Sequence, residues 1–111
     1  MSWEDDKILR IFLERLNQEF GAKIKKTILF GSRARDDHAQ ESDYDLLLVF
    51  EEVTKDMKET LNEIEGSMLY EYNTVFSAFA LSEKDLKKMK YEPFILNAQK
   101  EGKVISVKLR V

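Results

Sequence analysis

The sequence predicts a small α/β domain in which three or four strands alternate with helices. Three observations carry this reading. Apolar residues recur at helical spacing in two stretches, Ile8 to Phe20 and Met57 to Met68. Two short runs, Lys25 to Phe30 and Tyr44 to Phe50, are dense in apolar residues over the length of a strand. Glycine or polar breakers separate these stretches. With 111 residues, 43% hydrophobic and 11% aromatic, one compact domain covering residues 1–111 is expected, with a core that needs no staples.

Taken in order, Ser2 is the expected cap of the first helix, with Glu4, Asp5 and Asp6 near its positive end. Ile8, Phe12, Leu16 and Phe20 form its apolar stripe, widened by Leu9 and Leu13, and Gly21 suits the stop. Lys25 to Phe30 reads as a strand that is charged where it enters and apolar where it finishes. Gly31 punctuates it, and Ser32 to Arg35 begins a short helix. A polar loop, residues 36–42, leads to Tyr44 to Phe50, so continuously apolar after Asp45 that both faces of the strand should be covered.

From about Thr54, the residues Met57, Leu61, Ile64 and Met68 mark a long helix. Tyr72 to Leu81, rich in Val, Phe and Tyr, reads as a third strand. Ser82 caps a following helix with Asp85 in the capping-box position. Pro93 opens another, bearing Phe94, Ile95 and Ala98 and closed by Gly102. The tail, Val104 to Val111, alternates enough for a final edge strand. This pattern leaves the strand directions open.

Composition excludes several chemistries. There is no cysteine, so disulfides, thiolate catalysis and cysteine-bound zinc are out, and the one histidine, His38, excludes a His-rich centre. Any metal must be held by oxygen. Eighteen basic residues against 21 acidic ones give a net charge of -3, which argues against direct nucleic-acid binding through bulk charge. No apolar run approaches the ~20 residues a bilayer requires. The acidic N-terminus is unlike a signal peptide, so a cytoplasmic location is expected.

The chemistry concentrates in Gly31-Ser32-Arg33-Ala34-Arg35 and Ser42-Asp43-Tyr44-Asp45-Leu46. Side chains two apart on a strand share a face, so Asp43 and Asp45 can converge on one cation, their Cα atoms roughly 6.5 Å apart. Hard oxygen ligands of this kind suit Mg²⁺, which completes its shell with phosphate and water. Gly31 permits close backbone approach, and Ser32 adds a hydroxyl at a helix start where N–H groups attract phosphate. Tyr44 points to the opposite side, as a packed aromatic. A commonplace Gly-Ser turn and a solvated Asp-x-Asp cap remain open on spacing alone.

The whole pattern, Gly31-Ser32, ten intervening residues, then Asp43-Tyr44-Asp45 on the next strand, resembles the signature of minimal nucleotidyltransferases of the DNA polymerase β superfamily. The resemblance runs from the leading helix to about Gly102. It implies the nucleotidyltransferase fold, a small mixed sheet flanked by helices. It also implies transfer of a nucleoside monophosphate, AMP from ATP or from another NTP, to an acceptor hydroxyl. Gly31 and Ser32 would hold the triphosphate, Asp43 and Asp45 would ligate Mg²⁺, and Arg33 and Arg35 lie close enough to contact phosphate.

Members of this family pair with helical HEPN-domain toxins as antitoxins, some by attaching AMP to a tyrosine of the toxin. A HEPN partner is therefore expected, with a homo-oligomer left open. The alternative is a weakly catalytic module that neutralises such a partner by contact. The family's third carboxylate, on a later strand, has no acid to match it here. Ser77 occupies the equivalent place, and Glu71 is the nearest acid.

Other features read as structure. His38 is a solvated loop residue, and Lys84, Lys87, Lys88 and Lys90 form a solvated helix face interrupted by acids. Phe76 and Phe79 could stack on a base, but packing suits their strand context better.

Overall fold

A computed structural model describes residues 3–35 and 43–105. Its elements are α1 (Lys7–Phe20), β1 (Ile24–Phe30), α2 (Ser32–Arg35), β2 (Tyr44–Phe50), α3 (Lys55–Tyr72), β3 (Phe76–Ser82), α4 (Glu83–Lys88), α5 (Pro93–Glu101) and β4 (Lys103–Val104). The strands form one mixed sheet in the order β3-β2-β1-β4. β2 runs antiparallel to β1 and parallel to β3, while β4 pairs antiparallel with β1. The parallel β2–β3 pair is joined through α3, the crossover such a pair requires.

Alternation along β2 divides the core in two. Tyr44, Leu46, Leu48 and Phe50 face the buried stripes of α1 and α3. Leu47 and Val49 face the other way, onto Ile28, Phe30 and the α5 residues Ile95 and Ala98. Helices thus cover both sheet faces, as the apolar run over 46–50 requires. Among the described residues, no helix is long and apolar enough to cross a membrane.

Local chemistry explains most element ends, and two of them correct the sequence reading. The cap of α1 is Asp6, whose carboxylate accepts the Leu9 N–H at 3.1 Å. A 3₁₀ turn, Trp3–Asp5, takes up the chain before it, while Ser2 lies outside the described residues. The third strand does not begin at Tyr72. Helix α3 continues through that residue until Asn73 adopts the left-handed conformation (φ 50°, ψ 40°), its N–H bonding the Leu69 carbonyl. β3 starts only at Phe76. Aromatic and β-branched residues read as strand, but the stop that asparagine supplies prevails. At the far end, Lys103 and Val104 pair with β1 and the Ile105 N–H reaches the Thr27 carbonyl at 2.9 Å. The remainder of the expected tail strand lies outside the described residues.

Other expectations hold. The long helix starts where expected, just after Thr54, Ser82 caps α4 through the Asp85 N–H, Pro93 opens α5 and Gly102 follows its last turn. Among the described residues β3 is an edge strand, and its Ala78 N–H is taken by the Glu65 carboxylate of α3, at 2.9 Å.

Candidate functional site

The end of β1 and the start of β2 lie side by side, because Phe30 pairs with Asp45 in the antiparallel register. Gly31 turns the chain out of β1 with φ +75°, a conformation that side chains with a Cβ rarely adopt. A Cβ placed on Gly31 would lie 2.6 Å from an Asp45 carboxylate oxygen. The glycine therefore does two things: it makes the turn, and it leaves the space that the carboxylate occupies.

Asp43 stands one residue before β2 and is exposed, whereas Asp45 is half-buried. Burial raises the Asp45 pKa above its ordinary value, and the nearby negative charge of Asp43 raises it further. The two acids thus lie within electrostatic reach of each other. Across the other edge of β2, Asp45 pairs in register with Ser77. Registered neighbours point to the same face, so a serine hydroxyl is what β3 offers beside the carboxylates. Among the described residues no group of three or more His, Cys, Asp or Glu side chains could hold a metal.

Glu71 does not supply the missing acid. It belongs to α3, and its carboxylate is gripped by the Arg15 guanidinium at 2.7 and 3.1 Å. That hydrogen-bonded pair also lowers the Glu71 pKa.

Ser32 follows Gly31 as the first residue of α2. The Gly31 carbonyl accepts the Ala34 N–H at 3.1 Å, which shapes the turn as a single helical loop. With four residues, α2 is too short for a developed macrodipole, so any anion here would rely on the turn's own N–H groups and the Ser32 hydroxyl. Arg33 is drawn to the other face of β2. Its guanidinium lies 4.1 Å above the Tyr44 ring, whose side chain enters the α1–α3 core. His38 and Ser42 lie outside the described residues.

Tyr44 does more than pack. Its ring stacks on Phe76 with centroids 4.5 Å apart, and Phe76 stacks on Phe12 at 4.0 Å. Arg33 takes the remaining ring face, so three rings and a guanidinium form one column. The Tyr44 hydroxyl donates to Asp6, the residue that caps α1. Burial, then the Asp6 hydrogen bond and charge, push the Tyr44 pKa well up, so the phenol stays protonated. This link between α1, β2 and α2 was not legible from spacing. Its only sequence signal is an aromatic between two aspartates where an aliphatic residue would serve the core equally well.

A depression of about 470 Å³, lined by residues that include Lys23, Lys25, Glu51, Glu52 and Met57, opens at the opposite end of β2. It shares no residue with this cluster.

Comparison with known proteins agrees with the geometry. The model of the nucleotidyltransferase domain family matches residues 9–107. Two candidate protein adenylyltransferases of Methanocaldococcus jannaschii are similar. MJ0604 is 34% identical over 101 residues, covering 91% of this chain and 97% of the relative. MJ1305 is 31% identical over 103 residues, covering 90% and 70%. Among solved structures, a candidate nucleotidyltransferase of Sulfolobus solfataricus superposes with a TM-score of 0.55 at 19% identity, over 88% of this chain and 76% of that one. A MntA–HpeT toxin–antitoxin structure gives 0.59 at 12% identity, over 92% and 75%. A toxin–antitoxin structure with AMP-PNP gives 0.58 at 14%, over 88% and 73%. At these identities the structures speak for the fold, and the family match and the archaeal relatives carry the assignment: the chain belongs to the nucleotidyltransferase domain family and is a nucleotidyltransferase.

Proposed function

We propose that the chain is a Mg²⁺-dependent adenylyltransferase that moves AMP from ATP to a protein hydroxyl, a tyrosine of a HEPN-type toxin, and so acts as its antitoxin in the cytoplasm. The observation that carries this reading is the Asp45 carboxylate lodged in the space that Gly31 leaves, with the charge of Asp43 beside it. Two oxygen donors under mutual repulsion fit a hard divalent cation. Asp43 and Asp45 would hold Mg²⁺, which when bound offsets the charge of the triphosphate and of the departing pyrophosphate.

The remaining roles belong to the chain itself. Gly31 lets the backbone come close to phosphate oxygens, and the Ser32 hydroxyl donates to one of them. The Arg33 guanidinium rests on Tyr44, on the other face of β2, and would leave that ring to meet a phosphate. The acceptor oxygen attacks the α-phosphorus, a new O–P bond forms, pyrophosphate leaves, and the hydroxyl proton passes to solvent. The names of the archaeal relatives support a protein acceptor. Those of the toxin–antitoxin structures support a toxin partner, and the AMP-PNP in one of them supports an adenine nucleotide.

A second reading has one observation in its favour: Ser77 stands where β3 faces Asp45, and a hydroxyl cannot replace a carboxylate's charge. On that reading the chain neutralises its partner by contact and is a weak enzyme. One experiment separates the two. The chain is incubated with the product of a neighbouring gene and Mg·ATP, and the partner is weighed by mass spectrometry. An AMP-sized gain, lost in Asp43→Asn and Asp45→Asn, establishes transfer. No gain, with partner binding intact in both variants, establishes the contact mechanism.

A further inference from the structure

We propose that Phe79 is the seat of the nucleotide's base, an inference that rests on the nucleotidyl-transfer reading above and deepens it. Two aromatic residues of β3 have opposite fates. Phe76 is sealed in the ring column, 4% exposed, whereas Phe79 keeps 42% of its surface exposed. Phe79 follows Ser77 by two residues, so both project from the same face, the face that carries Asp45. In register Asp45 pairs with Ser77 and Leu47 with Phe79. One pleat repeat along β3 and one strand spacing across place the Phe79 backbone roughly 8 Å from that of Asp45.

The ring is held rather than loose. It tilts against Phe94, the second residue of α5, with centroids 5.0 Å apart, and against Phe30, at the end of β1, at 6.4 Å. Phe30 is the residue just before the Gly31 turn and the register partner of Asp45. Through Phe30 the ring is thus one neighbour removed from the Gly31 turn, and it lies on the Asp45 face of the sheet. A nucleoside triphosphate whose α-phosphorus lies at the carboxylates carries its base a few ångströms away across the ribose. Phe79 offers a flat, partly exposed apolar ring within that reach.

Stacking reads the plane of a base and not its edge. The seat therefore favours purines over pyrimidines through their larger overlap, and leaves the choice between adenine and guanine to other groups. It also explains a half-exposed phenylalanine in an edge strand that a polar residue would otherwise suit.

The test is calorimetric binding of Mg·ATP, Mg·CTP and Mg·tripolyphosphate to the full chain as wild type, Phe79→Leu and Phe79→Trp. Leucine keeps apolar bulk and removes the aromatic plane, and thermal denaturation confirms that both variants fold. The expected result is about a tenfold loss of ATP affinity in Phe79→Leu, a smaller loss for CTP, unchanged tripolyphosphate binding, and ATP affinity retained or improved in Phe79→Trp. ATP bound equally by wild type and Phe79→Leu overturns the inference alone. So does a Phe79→Leu variant that loses its partner protein but keeps ATP, because the ring would then be a protein contact. Wild type that binds neither ATP nor tripolyphosphate overturns the nucleotidyl-transfer reading and this inference with it.

Discussion

Replacing Gly31 by alanine separates backbone cost from site chemistry, because Gly21 provides a matched control. Both glycines have positive φ, +52° at Gly21 and +75° at Gly31. A Cβ in so sparsely populated a conformation costs about 1–3 kcal/mol, so each variant should lose on the order of 5 °C in Tm per kcal/mol for a domain of this size. Their surroundings differ. A Cβ on Gly21 meets nothing within 4 Å, whereas one on Gly31 meets the Asp45 carboxylate at 2.6 Å. Ordinary contact begins near 3.4 Å, so the carboxylate or the turn must withdraw by most of an ångström. A misplacement of that size at reacting groups can reduce rate by about a hundredfold. Gly31→Ala should therefore lose AMP transfer to the partner about a hundredfold and weaken Mg²⁺ binding, while Gly21→Ala keeps both with a similar loss of Tm. Differential scanning fluorimetry, Mg²⁺ titration and the mass-spectrometric transfer assay give the three readings. Gly31→Ala with full Mg²⁺ affinity and wild-type transfer would refute the assignment of Asp45 and its glycine pocket to the site.

Ser77→Asp adds a third carboxylate in register with Asp45. It should lower Tm in chelator through like-charge repulsion and then gain more from added Mg²⁺ than wild type does; an unchanged Mg²⁺ gain would mean that Ser77 does not face the pair. Tyr44→Phe keeps the ring column and removes the hydrogen bond to Asp6, a loss of about 1 kcal/mol in urea denaturation. Tyr44→Leu also removes the ring stack and the seat of Arg33, and should lose about 2 kcal/mol or more; equal losses would show that the rings contribute nothing beyond the hydroxyl. Burial holds the Glu65 pKa above its ordinary value, opposed by the Ala78 N–H. The folded state thus binds that proton more tightly than the unfolded chain does. This contribution is most favourable below the ordinary Glu pKa and declines as pH rises through the raised one. Glu65→Gln keeps an acceptor for Ala78 and should flatten that decline in stability measured against pH; an unaltered slope would place the titration elsewhere.

The elements that periodicity can see were legible. Leu9, Phe12, Leu13 and Leu16 announce α1, and the unbroken run after Asp45 announces a strand covered on both faces, as Leu46 to Phe50 are. The closeness of Gly31 and Asp45 was legible as a motif, although the pocket that joins them depends on register and cannot be read from spacing. Failures came where local propensity yielded to a single residue. Tyr72 and Val75 look like strand, yet Asn73 ends a helix between them. Glu71 looked like a spare acid until the fold set Arg15 against it. Tyr44 was legible as buried, but its partners Asp6, Phe12 and Phe76 come from three separate segments that only tertiary packing brings together.

The Glu65 carboxylate on the Ala78 N–H has a consequence for assembly. An outermost strand with vacant N–H groups invites another chain to add a strand of its own. Here one of those donors is already occupied, and the occupant brings a carboxylate that an incoming backbone carbonyl would meet unfavourably. Self-stacking through β3 into extended sheets is thereby discouraged. A visiting polypeptide is better received through side chains or a loop than as an added strand.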